Sequence, residues 1–375
     1  MGEVKEIKPT GNLIYYPIYY EFQGMNWWTD HYFKYPYVLI SAGQHHMEKN
    51  MREKRKFGKD VNVMSDSGGY QIASGFLEHI NFLDVLRWQE ANSDMGLIID
   101  IPPVKFYSDS KYSTFGDMKH FKKTLERTKV NAEMAMKYRQ RKEFKLFGVV
   151  QGYDYKTINM WFDRINEVGE FDGWALSPKW TNIGLISAFY GCWVLDKGIK
   201  EPIHYLGISG LKQIIPILTY ISKYIKQNIS FDSGFITSGN MFRKYMNPFG
   251  LMYIRLLTKD SVRKDGMIDK DFKTTCPCPV CRNGVEFYTD NSLGSMKMNL
   301  HNLYWMINYI NFIQSIKHRD DDIMRLVKLF GINPIPFEMV DFYLDKRDLE
   351  LTYEKYKDLF FKQKKRYKQS SLERW

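Results

Sequence analysis

Seven short apolar runs, each closing on a polar residue or a glycine, constrain this chain more than any other feature. They are YVLISAG (37–43), VNVMSDSGG (61–69), GLIIDIPP (96–103), FGVVQG (147–152), GWALSP (173–178), HYLGISG (204–210) and ISFDSG (229–234). Continuous apolar runs of this kind suit strands buried on both faces, as in a parallel sheet. Segments with a helical period lie between them, among them FLDVLRWQEAN, FKKTLERTKVNAEMAMKYRQ and LKQIIPILTYISKYI. Start-to-start spacings of roughly 24 to 50 residues match repeated strand–helix units. An α/β chain of 375 residues with this alternation is a doubly wound sheet or a (β/α)8 barrel. Polar groups at the ends of most runs select the TIM barrel, whose site is assembled at the C-terminal face from several strand ends.

Composition narrows the class further. With 44% hydrophobic and 26% charged residues, collagen-like, disordered and disulfide-scaffold chains are excluded. No run approaches the roughly 18 apolar residues of a membrane span. The opening MGEVKEIKPTG has no apolar signal core, and four cysteines do not make a secreted-type framework, so a cytoplasmic protein is expected. The rhythm of runs places a barrel over residues 1–265, a zinc-binding insertion over 266–310, and a C-terminal helical region with a basic tail over 311–375.

The insertion rests on CPCPVC. Cys276, Cys278 and Cys281 are too close in sequence to pair with one another in full, whereas a tight turn can aim all three at one soft cation. His301 in LHNLYWM supplies a fourth ligand. A complete Cys3His set leaves no open position, so the expected Zn2+ is structural. Cys192, isolated in FYGCWVL, reads as a buried packing residue.

Three carboxylates close apolar runs: Asp66 in SDSGGYQ, Asp100 in LIIDIPP and Asp232 in ISFDSG. Taken alone, Asp66 is equally a helix cap. Three carboxylates at one barrel mouth indicate a site. Two of them suit displacement at a sugar carbon, one attacking the anomeric centre and the other handling a proton. Gln151 in VVQG is suited to read a base edge, and Tyr70, just after the twin glycines, to lie against a planar ring or to pack as an ordinary aromatic.

SDSGGYQ, FGVVQG, FDSG, CPCPVC and LHNL together resemble, in the same order, the signature segments of the tRNA-guanine transglycosylase superfamily, over residues 35 to 310. The resemblance implies a zinc-containing TIM-barrel enzyme that exchanges guanine in a nucleic acid for a 7-deazaguanine. It implies Asp232 as nucleophile and Asp66 as acid/base. Tyr70, Asp100, Gln151, Gly173 and Ser67 would form the base-binding set, and Cys276, Cys278, Cys281 and His301 the zinc site. A homodimer is also open, since bacterial relatives dimerise near the zinc region.

The match breaks after Asp232. The tRNA enzymes continue with a Pro-Thr-Arg element and an Arg-Asn-Gly stretch, whereas here SGFITSGNMFRKYMNP offers only Arg243 and Lys244. IPPV after Asp100 also departs from the usual pattern. That split resembles the DNA-directed branch found in phages and bacterial modification clusters, which inserts preQ0 or its relatives into DNA; a phage-encoded member would act in the host cytoplasm. DNA is thus expected ahead of tRNA, and a non-catalytic nucleic-acid-binding subunit is disfavoured because both aspartates are present. The net charge of +11 fits a polyanion partner. It concentrates in two places: residues 49–59, with six bases against one acid, and residues 359–372, with five bases and no acid. Arg52, Lys54, Arg55 and Lys56 of the first cluster precede the SDSGGYQ strand and are expected to reach phosphates near the mouth, or else to form a solvated face.

Overall fold

The computed structural model describes residues 4–19, 25–45, 48–69, 71, 81–106, 113–115, 117–178, 182–208, 210–211, 214–234, 244–247, 252–256, 267–268, 276–282 and 292–361. Eight strands form one parallel sheet: β1 (Leu13–Pro17), β2 (Tyr37–Ser41), β3 (Asn62–Asp66), β4 (Met95–Leu97), β5 (Lys145–Val150), β6 (Gly173–Leu176), β7 (Ile203–Tyr205) and β8 (Ile229–Ser233). Their order is β1-β8-β7-β6-β5-β4-β3-β2. The two outer strands meet where the Tyr19 N–H donates to the Leu39 carbonyl at 2.8 Å, beside a parallel bridge between Ile18 and Leu39. The sheet thereby curls into the nearly closed (β/α)8 barrel that the apolar runs predict.

The seven runs omit β1. Its sequence, LIYYP, carries two tyrosines and ends on Pro17, and proline lacks the ladder N–H. Pro17 is tolerated because it is the last residue of the strand.

The helices are α1 (Ala42–His45), α2 (Met51–Lys54), α3 (Phe82–Asn92), α4 (Met118–Tyr138), α5 (Tyr155–Asn166), α6 (Ile183–Asp196), α7 (Ile214–Ile221), α8 (Ser292–Ile316), α9 (Asp320–Leu329), α10 (Ile335–Lys346) and α11 (Leu349–Phe361). Asn81, Asp117, Asp154 and Asn182 open α3 to α6 by accepting backbone N–H groups, which satisfies donors that a helix start otherwise leaves bare. The α6 sequence IGLISAFYGCWVLD is apolar on all sides, and such a helix needs cover on its outer face. The C-terminal helices α10 and α11 supply it. Cys192 lies in this packing, fully buried as its surroundings in sequence suggest, and burial pushes its thiol far above the usual range.

The long helix α8 seats the barrel's last seam. Gln314 accepts from the Leu13 N–H at 2.9 Å and donates to the Leu13 carbonyl at 3.1 Å, serving the start of β1 through one side chain. This helix runs unbroken through residue 310, where the sequence suggested a boundary, so His301 and Gln314 are carried by one element. No helix among the described residues is long and apolar enough to cross a membrane.

Candidate functional site

Because all eight strands are parallel, their C-terminal ends open on one face. A cleft of about 170 Å³ lies there. Its wall takes Ser41 from the end of β2, Asp66 from β3, Asp100 from beyond β4, Gln151 after β5, Ser177 after β6, Gly207 after β7 and Asp232 from β8. Ile18, Leu39, Gln44, Gln71, Pro102 and Leu206 complete it. Three carboxylates share this space, and among the described residues that line it there is no lysine or arginine. Asp100 and Asp232 are only 7% and 4% exposed. Gathering carboxylates in a buried cleft costs stability, so their convergence marks a site and not a packing solution.

Asp232 is held from one side. Its Oδ1 accepts from the Gly207 backbone N–H at 2.7 Å and contacts His204 Nε2 at 3.1 Å. His204 is completely buried in β7, with its Nδ1 2.9 Å from Ser230 Oγ. Among the described residues, Oδ2 of Asp232 takes no hydrogen bond. Asp66 accepts from the Ser41 hydroxyl at 3.3 Å, and Asp100 Oδ2 accepts from the Gln151 side-chain amide at 2.5 Å.

The twin glycines explain how β3 turns into the cleft. Gly68 has a positive φ of 78°, and a Cβ there would sit 2.6 Å from Gly43 Cα. At Gly69 a Cβ would fall 2.2 Å from the Asp100 carbonyl oxygen and 2.9 Å from its Oδ1. Backbone against backbone cannot yield cheaply. Gly69→Ala should therefore destabilise the fold by roughly 1–3 kcal/mol and displace Asp100. Thermal unfolding reads the first effect; an unchanged melting temperature would show that the close approach has no role.

Not every residue expected at the mouth is there. Gly173 begins β6, at the far end of the strand from the cleft, and a side chain there would strike the Phe147 ring at 2.4 Å. It is a packing glycine; Ser177, where the same run emerges, lines the cleft instead. Ser67 is fully buried beside Asp66 and does not line the cleft, and its hydroxyl has no hydrogen-bond partner among the described residues. Tyr70 and Arg243 lie outside the described residues, as does most of the basic tail. Lys244 begins a strand, Lys244–Asn247, whose backbone alone is described at that position.

The first basic cluster is likewise not part of the cleft wall. Arg52 pairs with Asp94 at 2.9 Å, and Asp94 immediately precedes β4, at the end of the barrel opposite the mouth. Arg55 bonds Glu48 at 2.9 Å and covers the Tyr19 ring. Lys54 and Lys56 are exposed on the stretch that leads into the N-terminal end of β3. The expectation that this cluster flanks the mouth is corrected for Arg52, whose partner Asp94 stands at the end of the barrel where the strands begin. His204 is the site residue that sequence reasoning missed. Its signal was parity, since His204 registers with Ser230, and Asp232, two residues on, faces the same way.

The second candidate centre is Cys276, Cys278, Cys281 and His301, all buried, with ligand atoms within 4.8 Å of one another. The three sulfurs lie 3.7, 3.4 and 3.2 Å from His301 Nδ1. A tetrahedral zinc with Zn–S near 2.3 Å and Zn–N near 2.0–2.1 Å requires sulfur and nitrogen about 3.5 Å apart, so the donor set fits. Crowding supports the same reading. The three thiols shift one another, Cys278 and Cys281 pulling Cys276 down through hydrogen bonds while Cys276 pushes both of them up. A dication resolves that conflict by taking all three as thiolates. The other ring nitrogen of His301 donates to the Met246 carbonyl at 2.9 Å, which fixes Nδ1 as the ligand atom, and Tyr245 stacks on the ring. Trp305 donates to Cys276 Sγ at 3.0 Å.

The chain matches no protein-family model and no curated protein.

Proposed function

We propose that this protein is a guanine transglycosylase, exchanging guanine in a nucleic acid for a 7-deazaguanine such as preQ0 through a covalent glycosyl-aspartate. One observation carries the reading: Asp66, Asp100, Asp232 and Gln151 line one cleft, where Asp100 is paired with Gln151 and, among the described residues, Oδ2 of Asp232 takes no hydrogen bond. A carboxylate next to an amide complements the guanine edge, which offers N–H groups at N1 and N2 and an acceptor at O6.

The target nucleoside enters the mouth unstacked, at a cost of a few kcal/mol that base contacts offset. An Asp232 Oδ2 lone pair forms a bond to C1′ as the C1′–N9 bond breaks, and the electron pair leaves with guanine, which takes up a proton from solvent, to which Asp66 later returns the proton it accepts from the incoming base. Asp66 then accepts the N9 proton of the incoming 7-deazaguanine. Its nitrogen bonds C1′, and the ester electron pair returns to Asp232. Two inversions retain the β-linkage. Cys276, Cys278, Cys281 and His301 would hold zinc with all four protein ligands, so that the ion would tie the cysteine turn to α8 and supply no Lewis-acid chemistry to substrate.

DNA is the proposed polymer, because the segment after Asp232 lacks the arginine elements of the tRNA enzymes. Incubating the protein with labelled preQ0 and either duplex DNA or tRNA should place label in DNA. Label in tRNA alone would overturn the polymer, and label in neither would overturn the chemistry.

A further inference from the structure

Resting on the transglycosylase reading, we infer that His204 is a positioning residue for Asp232, set by Ser230 and acting most strongly when the glycosyl ester is cleaved. His204 is 0% exposed in a strand interior, and Tyr16 meets its ring edge-on at 6.1 Å. A buried imidazole is costly unless both nitrogens are satisfied. Here both are, and one of the partners is the carboxylate that faces the cleft.

The proton arrangement follows from the partners. With Asp232 ionised, Oδ1 can only accept, so Nε2 carries the proton that lies between them. In the neutral ring, Nδ1 then accepts from the Ser230 hydroxyl at 2.9 Å. In the doubly protonated ring, Nδ1–H donates to Ser230 Oγ, whose own hydroxyl turns to the Ile203 carbonyl at 3.2 Å. Ser230 accommodates either state, and Nε2–H donates to Oδ1 in both.

Two donors, Gly207 N–H and His204 Nε2–H, therefore converge on Oδ1 and leave Oδ2 to form the bond to C1′. In the glycosyl ester Oδ1 is the carbonyl oxygen. When the second displacement breaks the Oδ2–C1′ bond, the returning electron pair spreads onto Oδ1, and donors already aimed there strengthen as charge develops. His204 thus makes Asp232 a better leaving group without touching substrate.

The test compares His204→Phe with His204→Gln, whose amide N–H reaches the former Nε2 position. His204→Phe should lower kcat on the order of 10²–10³-fold, leave KM for preQ0 within about twofold, and let glycosyl-Asp232 accumulate for detection by mass spectrometry. His204→Gln should return kcat to within about tenfold of the parent. Unchanged kcat in His204→Phe, or no rescue by His204→Gln in a protein that melts normally, would overturn the role. The ¹⁵N imidazole spectrum of the parent chain gives a reading independent of activity: a proton on Nε2 of His204 that shifts in Asp232→Asn is expected. An Nδ1–H tautomer there would overturn the inference even in an active enzyme, and decides the matter should neither variant fold. If the parent chain labels neither DNA nor tRNA, the transglycosylase reading fails while the tautomer result still stands.

Discussion

Asp232→Asn should abolish base exchange, lowering kcat on the order of 10⁴-fold or more, while leaving the fold intact. The asparagine Oδ1 can still accept from the Gly207 N–H, so the loop after β7 keeps its anchor. What is lost is the anionic oxygen that attacks C1′ and later leaves. Asp66→Asn should have a smaller effect, on the order of 10²–10⁴-fold, because it removes a proton acceptor that water replaces in part. The two variants also differ in kind. In Asp66→Asn a glycosylated peptide containing residue 232 should form and persist; in Asp232→Asn none should form. An adduct found on the peptide containing Asp66 would reverse the assignment, and full exchange by Asp232→Asn would remove the covalent mechanism altogether.

The barrel was legible because its strands are buried on both faces, which turns each into an uninterrupted apolar run. β1 escaped because Pro17 and two tyrosines break that pattern, although the strand ends where its proline does no harm. Strand ends were harder than strands. GWALSP identifies β6, but nothing local says that Ser177 and not Gly173 reaches the cleft; direction and length across the barrel decide it. The same geometry misplaces Arg52, which adjoins the site in sequence and stands by Asp94 in space. Asp66, Asp100, Gln151 and Asp232 were legible because charged or amide groups ending apolar strands have little reason to be there without a ligand. His204 was not, since a single histidine within a strand reads as packing until the neighbouring strand supplies its register.

Zinc removal should produce the largest loss of stability. Structural zinc contributes roughly 10–16 kcal/mol of apparent binding free energy in small domains. If only about half of that reaches the folding of this chain, its melting temperature should fall by roughly 5–15 °C. The route is visible: His301 holds α8 to the cysteine turn, and Gln314 on the same helix serves both backbone groups of Leu13 in β1. Loosening one end of α8 therefore weakens the barrel seam at the other. Thiol chemistry separates the steps. The zinc-replete native protein should expose no reactive thiol, because three are held as thiolates on the metal and Cys192 is buried with its ionisation suppressed. A chelator should release three thiols together, and the fourth should appear only on global unfolding. Emission measurements should find one zinc per chain, and Cys281→Ser should lose most of it. Cobalt in place of zinc should preserve both the fold and kcat, since a closed Cys3His set gives the ion no contact with substrate. A strong change of kcat on that exchange would mean that the metal takes part in the reaction, and simultaneous labelling of all four thiols in the replete protein would mean that the cysteines hold no metal.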